Sequence, residues 1–204
     1  EFTGAAFKST ANFSSADFSS AADFDNSNFY LSAQFDSAKF TSFADFQGSS
    51  FWSDASFIKA DFSDASYFSK TTFAKEARFS YAGFIGETYF EGTDFRGTVS
   101  FNGSNFYSTL YFAPQQLNED IFFGLATFHG YADFSTTTFG SEAHFFGVSF
   151  DSTANFQRGK FSSRIDMREV KFNSISRFNS TNFTGNARFD YAEFADSAQF
   201  DNTT

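Results

Sequence analysis

Phenylalanine recurs along this chain in steps of five and six, in strict alternation. The series begins Phe2, Phe7, Phe13, Phe18, Phe24, Phe29, Phe35, Phe40 and runs without insertion or deletion to Phe200. Leu117 and Met167 are its two exceptions, and both are large and apolar. Only Phe43, Phe122 and Phe146 stand off the series. A fixed period decides architecture before any local element is considered. The repeat unit is an undecapeptide with two Phe, and nothing interrupts it, so one repeat domain is expected over residues 1–204.

The residue two before each Phe is small or aliphatic, as at Ala11, Ala22, Ala33, Ala44 and Ala55, and the residue between is polar, as at Asn12, Asp17, Asp23 and Gln34. Small, polar, Phe has period two, the strand period. Two or three residues of Ser, Gly, Thr, Asn, Asp or Lys follow each triplet, and these favour turns. Steps of five and six leave no apolar stripe on a helix. A chain that turns after every triplet must coil. Four triplets, about 22 residues, close one square turn with all rings inside, and about nine such turns stacked at about 4.8 Å give a rod of roughly 40 Å. A flatter coil, with a single undecapeptide per turn, is the alternative. It leaves little room for facing columns of rings.

Composition narrows the function classes. Net charge is −10, which argues against direct contact with nucleic acid or anionic membrane. There is no Cys, so disulfides and thiolate metal sites are excluded. No apolar run reaches the roughly 18 residues that a spanning helix needs. The chain starts at Glu1-Phe2, already inside the pattern, and the pattern reaches Phe200 without a cap. A fragment of a larger protein, or end-to-end self-association, is the expectation, because open coil edges recruit further strand.

The triplets Ala16-Asp17-Phe18, Ala22-Asp23-Phe24, Ala44-Asp45-Phe46, Ala60-Asp61-Phe62 and Ala132-Asp133-Phe134 resemble the pentapeptide-repeat motif. The resemblance covers the whole chain and is closest to the Phe-rich branch of that family. It implies an all-β, right-handed quadrilateral parallel β-helix. The family keeps steps of five, whereas this chain alternates five and six, so one corner in two is expected to be wider. Some members mimic DNA and bind type II topoisomerases, but those keep the five-residue step and carry a terminal dimerising helix. Mimicry is therefore the lesser reading, and a scaffold or interaction module of a larger bacterial protein the greater. The lack of Cys leans toward the bacterial cell surface or a secreted protein.

No catalytic set or cofactor site is expected. His129 and His144 read as isolated outward residues without a carboxylate at ligand spacing. Three surface features are candidates for contact with a protein or glycan. Tyr67, Tyr89 and Tyr111 are 22 apart and predict an outward ladder, and Tyr30 and Trp52 predict a second column. Residues 107–125 keep the lattice but lose its simplicity, and they hold Pro114, which is expected at a corner. Arg158, Lys160, Arg164, Arg168 and Lys171 lie in a basic window in an otherwise acidic chain, a candidate contact for an anionic partner. No sustained Thr array suited to ice appears on the outward columns.

Overall fold

The computed structural model describes residues 1–204, which form a β-solenoid of 36 two-residue strands and no helix. The first coil sets four faces: β1 (Ala6–Phe7), β2 (Ala11–Asn12), β3 (Asp17–Phe18) and β4 (Ala22–Asp23). With one exception on the first face, successive coils pair strand to strand in parallel, each strand with the one four further on, and the register is the same throughout, as in Ala6 with Asn28 and Asp61 with Gly83. One coil is therefore two undecapeptides, and the flatter, single-unit coil is ruled out. The second, third and fourth faces are continuous nine-stranded ladders. The first face divides into six strands and three, with the break between Gln116–Leu117 and Thr138–Phe139.

The alternation of five and six has a physical cause in two kinds of corner. After Phe13 or Phe24 the chain makes a tight four-residue turn, closed by Ala16 N–H to the Phe13 carbonyl (3.0 Å) and Ser27 N–H to the Phe24 carbonyl (3.1 Å). The third residue of each such turn has positive φ: 58° at Ser15, 53° at Asn26, 67° at Gly48. A turn with φ above zero at that place is of type II. The fold imposes this conformation on Lys59, Tyr81, Leu125 and Arg158 as well, at φ of 58–60°. The other two corners, after Phe7 and Phe18, take one residue more. Their backbone lies close on the coil before, and a side chain at Gly130 would run into the Ser108 carbonyl.

All lattice rings of the middle coils are buried, in one cluster with the small residues two before them. The rings stand in four columns. On the third face nine Phe, from Phe18 to Phe194, stack without a gap, with centroids 4.7 Å apart at Phe40–Phe62 and Phe84–Phe106 and 5.2 Å at Phe150–Phe172. Neighbouring columns meet edge to face, as Phe24 does Phe35 at 5.4 Å and 86°. The ladder rise sets the stacked spacing, and the edge contacts supply the geometry that ring quadrupoles favour.

The small residues also do more than make room. At the corner between the fourth and first faces, the hydroxyls of Ser27, Ser49, Thr71, Thr93, Thr137 and Thr181 are buried. Each donates to a Phe carbonyl 25 residues earlier, as Thr71 does to Phe46 (2.7 Å) and Thr181 to Phe156 (2.7 Å). This second ladder, inside the first, ties coil to coil.

Candidate binding surfaces

Because residues two undecapeptides apart lie one above another, outward side chains form vertical columns. The three tyrosines are such a column on the fourth face. Tyr67 stacks on Tyr89 at 5.2 Å, and Tyr89 on Tyr111 at 4.9 Å. Phe43 meets Tyr67 edge-on at 6.5 Å. The rings are half-buried and cover one another's faces. The Tyr89 hydroxyl donates to Glu87 Oε2, and that bond, with burial and the Glu87 charge behind it, raises the phenol well above its ordinary pKa.

Tyr30 and Trp52 share a column at the wide corner between the first and second faces. They are 49% and 44% exposed, and Leu31 beside them is 51% exposed. Trp52 Nε1 donates to Asn28 Oδ1 at 3.4 Å. All three stand outside the buried ring cluster.

The five basic candidates are not brought to one spot. They belong to a single coil and wrap around it: Arg158 at a tight corner, Lys160 on the first face, Arg164 and Arg168 either side of the second-face strand Ile165–Asp166, Lys171 on the third face. Arg164 and Arg168 both bind Asp166, at 3.2 and 2.6 Å. The bonds from Arg168, more than the opposing burial, hold the Asp166 carboxyl below the usual range.

The histidines require a correction. They are outward, as expected, but they are not isolated. His129 Nδ1 lies 2.8 Å from Asp151 Oδ2, and His144 Nε2 lies 3.4 Å from Glu142 Oε2. Asp151 stands one full coil beyond His129, so the coil register makes this contact. Each imidazole also stacks on an aromatic ring one coil earlier, His129 on Tyr107 at 4.7 Å and His144 on Phe122 at 4.6 Å. Burial opposes ionisation of Asp151, but hydrogen bonds from Ser149, Asn173 and His129 together lower its pKa.

Pro114 sits at a tight corner, at the one turn whose third residue lacks positive φ. Proline cannot adopt that conformation and has no N–H. The turn bond to the Phe112 carbonyl is missing, and Gln115 N–H bonds instead to Thr93 O (2.8 Å). The Phe112 ring tilts 58° from Phe90 and 55° from Phe134. Pro114 is thus the origin of the altered turn within residues 107–125.

Two shallow hollows escaped the sequence reading. One lies over Gly103 and Gly124 between Tyr81, Leu125 and Phe146, with Arg168 5.5 Å from the Phe146 centroid. The other surrounds Arg158. Spacing by one coil was their visible signal, since it aligns Ser135 with Gln157 and Asn179, and Thr136 with Arg158 and Ser180.

Comparison with known families agrees with this geometry. The family model for pentapeptide repeats matches in nine copies, over residues 24–72 and 68–113. No curated protein matches the chain. The ring lattice and the four-sided coil continue on either side of the matched stretch, with Leu117 and Met167 in place of rings and the first-face ladder broken between Leu117 and Phe139; residues 24–113 match the pentapeptide-repeat family, in a Phe-rich form with two tight and two wide corners per coil.

Proposed function

We propose that this chain is a non-enzymatic interaction scaffold: a stiff rod that holds a protein partner against the corner carrying Tyr30, Leu31 and Trp52. One observation carries the reading. Three large side chains stand about half exposed on successive residues and coils, outside the buried ring cluster. Trp and Tyr are the side chains that most often anchor protein interfaces. The tyrosine ladder is the lesser candidate. Its ring faces are already occupied by one another, so it offers a partner a row of edges and hydroxyls.

Wild type and a Tyr30→Ser/Trp52→Ser variant, each carrying a photo-crosslinker at Ser53, test this in the native host extract. A partner crosslinked by wild type and lost from the variant, with circular dichroism unchanged, supports the reading. The same crosslinks from both proteins, or none from either, leave a passive spacer. A Tyr67→Ala/Tyr89→Ala/Tyr111→Ala variant assigns any remaining contact to the ladder. Duplex mimicry is less favoured. It calls for continuous rows of carboxylate, whereas Lys39 interrupts Asp17 and Asp61 on the third face and tyrosines follow Asp23 and Asp45 on the fourth.

A further inference from the structure

Ion pairing divides the seven basic residues between Arg158 and Arg188 into two groups. Arg164 and Arg168 share Asp166, with Glu142 3.9 Å from Arg164, and Arg188 pairs with Asp190. Arg158, Lys160, Lys171 and Arg177 form no ion pair. Of these four, only Lys171 is on the third face. The other three lie at, or on the strands that adjoin, the tight corner between the fourth and first faces. Arg158 occupies its left-handed position at φ 58°, Lys160 opens the first-face strand two residues later, and Arg177 lies in register with Asn155.

At this corner lies a groove of about 300 Å³, a size at the lower end of small-ligand sites. Its walls are amides (Asn155, Gln157, Asn179), hydroxyls (Ser135, Thr136, Ser180) and the Arg158 guanidinium, with no apolar and no acidic side chain. Asn155 is fixed, donating to the Tyr131 hydroxyl (2.8 Å) and Asp133 (3.1 Å) and accepting from Gln157 N–H (3.1 Å). Asn179 Oδ1 is buried without a donor. The Ser135 carbonyl also lacks its inter-coil donor. The equivalent Gln157 carbonyl accepts from Thr136 N–H, but the residue above Ser135 is Pro114. The groove therefore holds unpaired positive charge and unused polar groups in a chain whose net charge is −10.

We propose that this groove binds an acidic glycan, with a sugar carboxylate or sulfate on Arg158 and sugar hydroxyls on the surrounding amides and hydroxyls. Lys160 and Arg177 flank the bound chain. Guanidinium pairs with planar or tetrahedral oxyanions through two parallel bonds. Single-stranded nucleic acid is the poorer fit, because it needs aromatic rings on which bases stack, and the groove has none. A protein interface is poorer still, because its centre is normally apolar. The site is on a different corner from Tyr30 and Trp52 and stands or falls independently of them.

Titration calorimetry on the full chain tests this with four probes: a polyuronate hexasaccharide, a sulfated hexasaccharide, a neutral hexasaccharide and an oligothymidylate of matched charge. Either acidic sugar is expected to bind, and the two arms identify the anion. Arg158→Asn should weaken binding at least tenfold, and since Asn tolerates positive φ the fold should persist by circular dichroism. Lys160→Gln should weaken binding several-fold. Lys171→Gln and Trp52→Ser should leave it unchanged. Equal affinity for the neutral sugar or the oligothymidylate, full affinity in Arg158→Asn, or no binding of either acidic sugar would overturn the proposal.

Discussion

At the scale of single residues, the fold makes one unusual demand and meets it unevenly. Every tight corner needs a residue at positive φ, where glycine and Asn fit without strain and bulky side chains do not. Pro114 is the one residue that cannot comply, and the distortion of Phe112 follows from it. Pro114→Asn should restore both the turn and an N–H for the Ser135 carbonyl. The regained bond is worth roughly 0.5–1.5 kcal/mol, set against the lost stiffness of proline in the unfolded chain. A higher midpoint is expected in urea unfolding, and a lower one would contradict the assignment. Two carboxylates make opposite predictions with pH. Burial raises the pKa of Asp45, and Asp25 and Asp23 add repulsion. Its ionised form therefore costs stability at neutral pH, and that cost disappears as pH falls through the raised value. Asp45→Asn, which keeps an acceptor for Gln47 N–H, should stabilise at neutral pH and do nothing in acid. Asp166 is lowered by Arg168. Its contribution is complete above the unfolded carboxylate value of about 3.9 and is lost as pH falls through the lower folded value. Asp166→Asn should thus destabilise at neutral pH and not in strong acid. Thermal melts of the two variants from acid to neutral pH would check both signs.

At the scale of strands and columns, stability comes from rings in register. Phe106 stacks on Phe84 at 4.7 Å and on Phe128 at 4.8 Å, inside an unbroken column. Phe106→Ala should cost about 3–5 kcal/mol, the range for large cavities in a tight core. Where the lattice loses a ring, an aliphatic side chain fills the space. Met167 follows Ile165 on the same inward face, where most coils have Ala before Phe, and Leu117 lies between Leu110 and Ile121. Met167→Phe alone should overpack and cost about 1–3 kcal/mol. Added to Ile165→Ala it should restore stability, and simple additivity in that cycle would refute the compensation. These columns were legible in the sequence because the strand period and the undecapeptide period both act on large, uniform residues. The tyrosine ladder and the Tyr30–Trp52 column were legible by the same rule. The histidine–carboxylate contacts and the groove at Arg158 were not. They join residues of unlike type, a full coil apart at His129 and Asp151 and two residues apart at Glu142 and His144, and a periodic pattern of one residue type does not single out such pairs. The buried Ser and Thr hydroxyls were hidden for another reason: smallness alone explained their positions, and their hydrogen bonds needed the coil.

At the scale of the whole molecule, each coil touches only its neighbours, so stability is close to a sum over coils and their interfaces. The first-face ladder breaks between Leu117 and Phe139, where Gly140 N–H to the Leu117 carbonyl (2.8 Å) remains. Amide exchange in residues 113–118 and at Thr138 should be faster than at the matching places of other coils. Uniform protection along the rod would contradict that. The whole molecule depends on a four-sided coil that turns every lattice ring inward. The absence of Cys makes a direct test simple. Lys39 and Asp61 are register partners on the outside of the third face, at a Cα separation of about 4.8 Å. Cysteines placed there should join readily under mild oxidation or with a short bis-thiol reagent. Cysteines at Lys39 and Ser50, a single undecapeptide apart and on different faces, should not join. Crosslinking of the second pair in preference to the first would mean a coil of half this length and would contradict the fold.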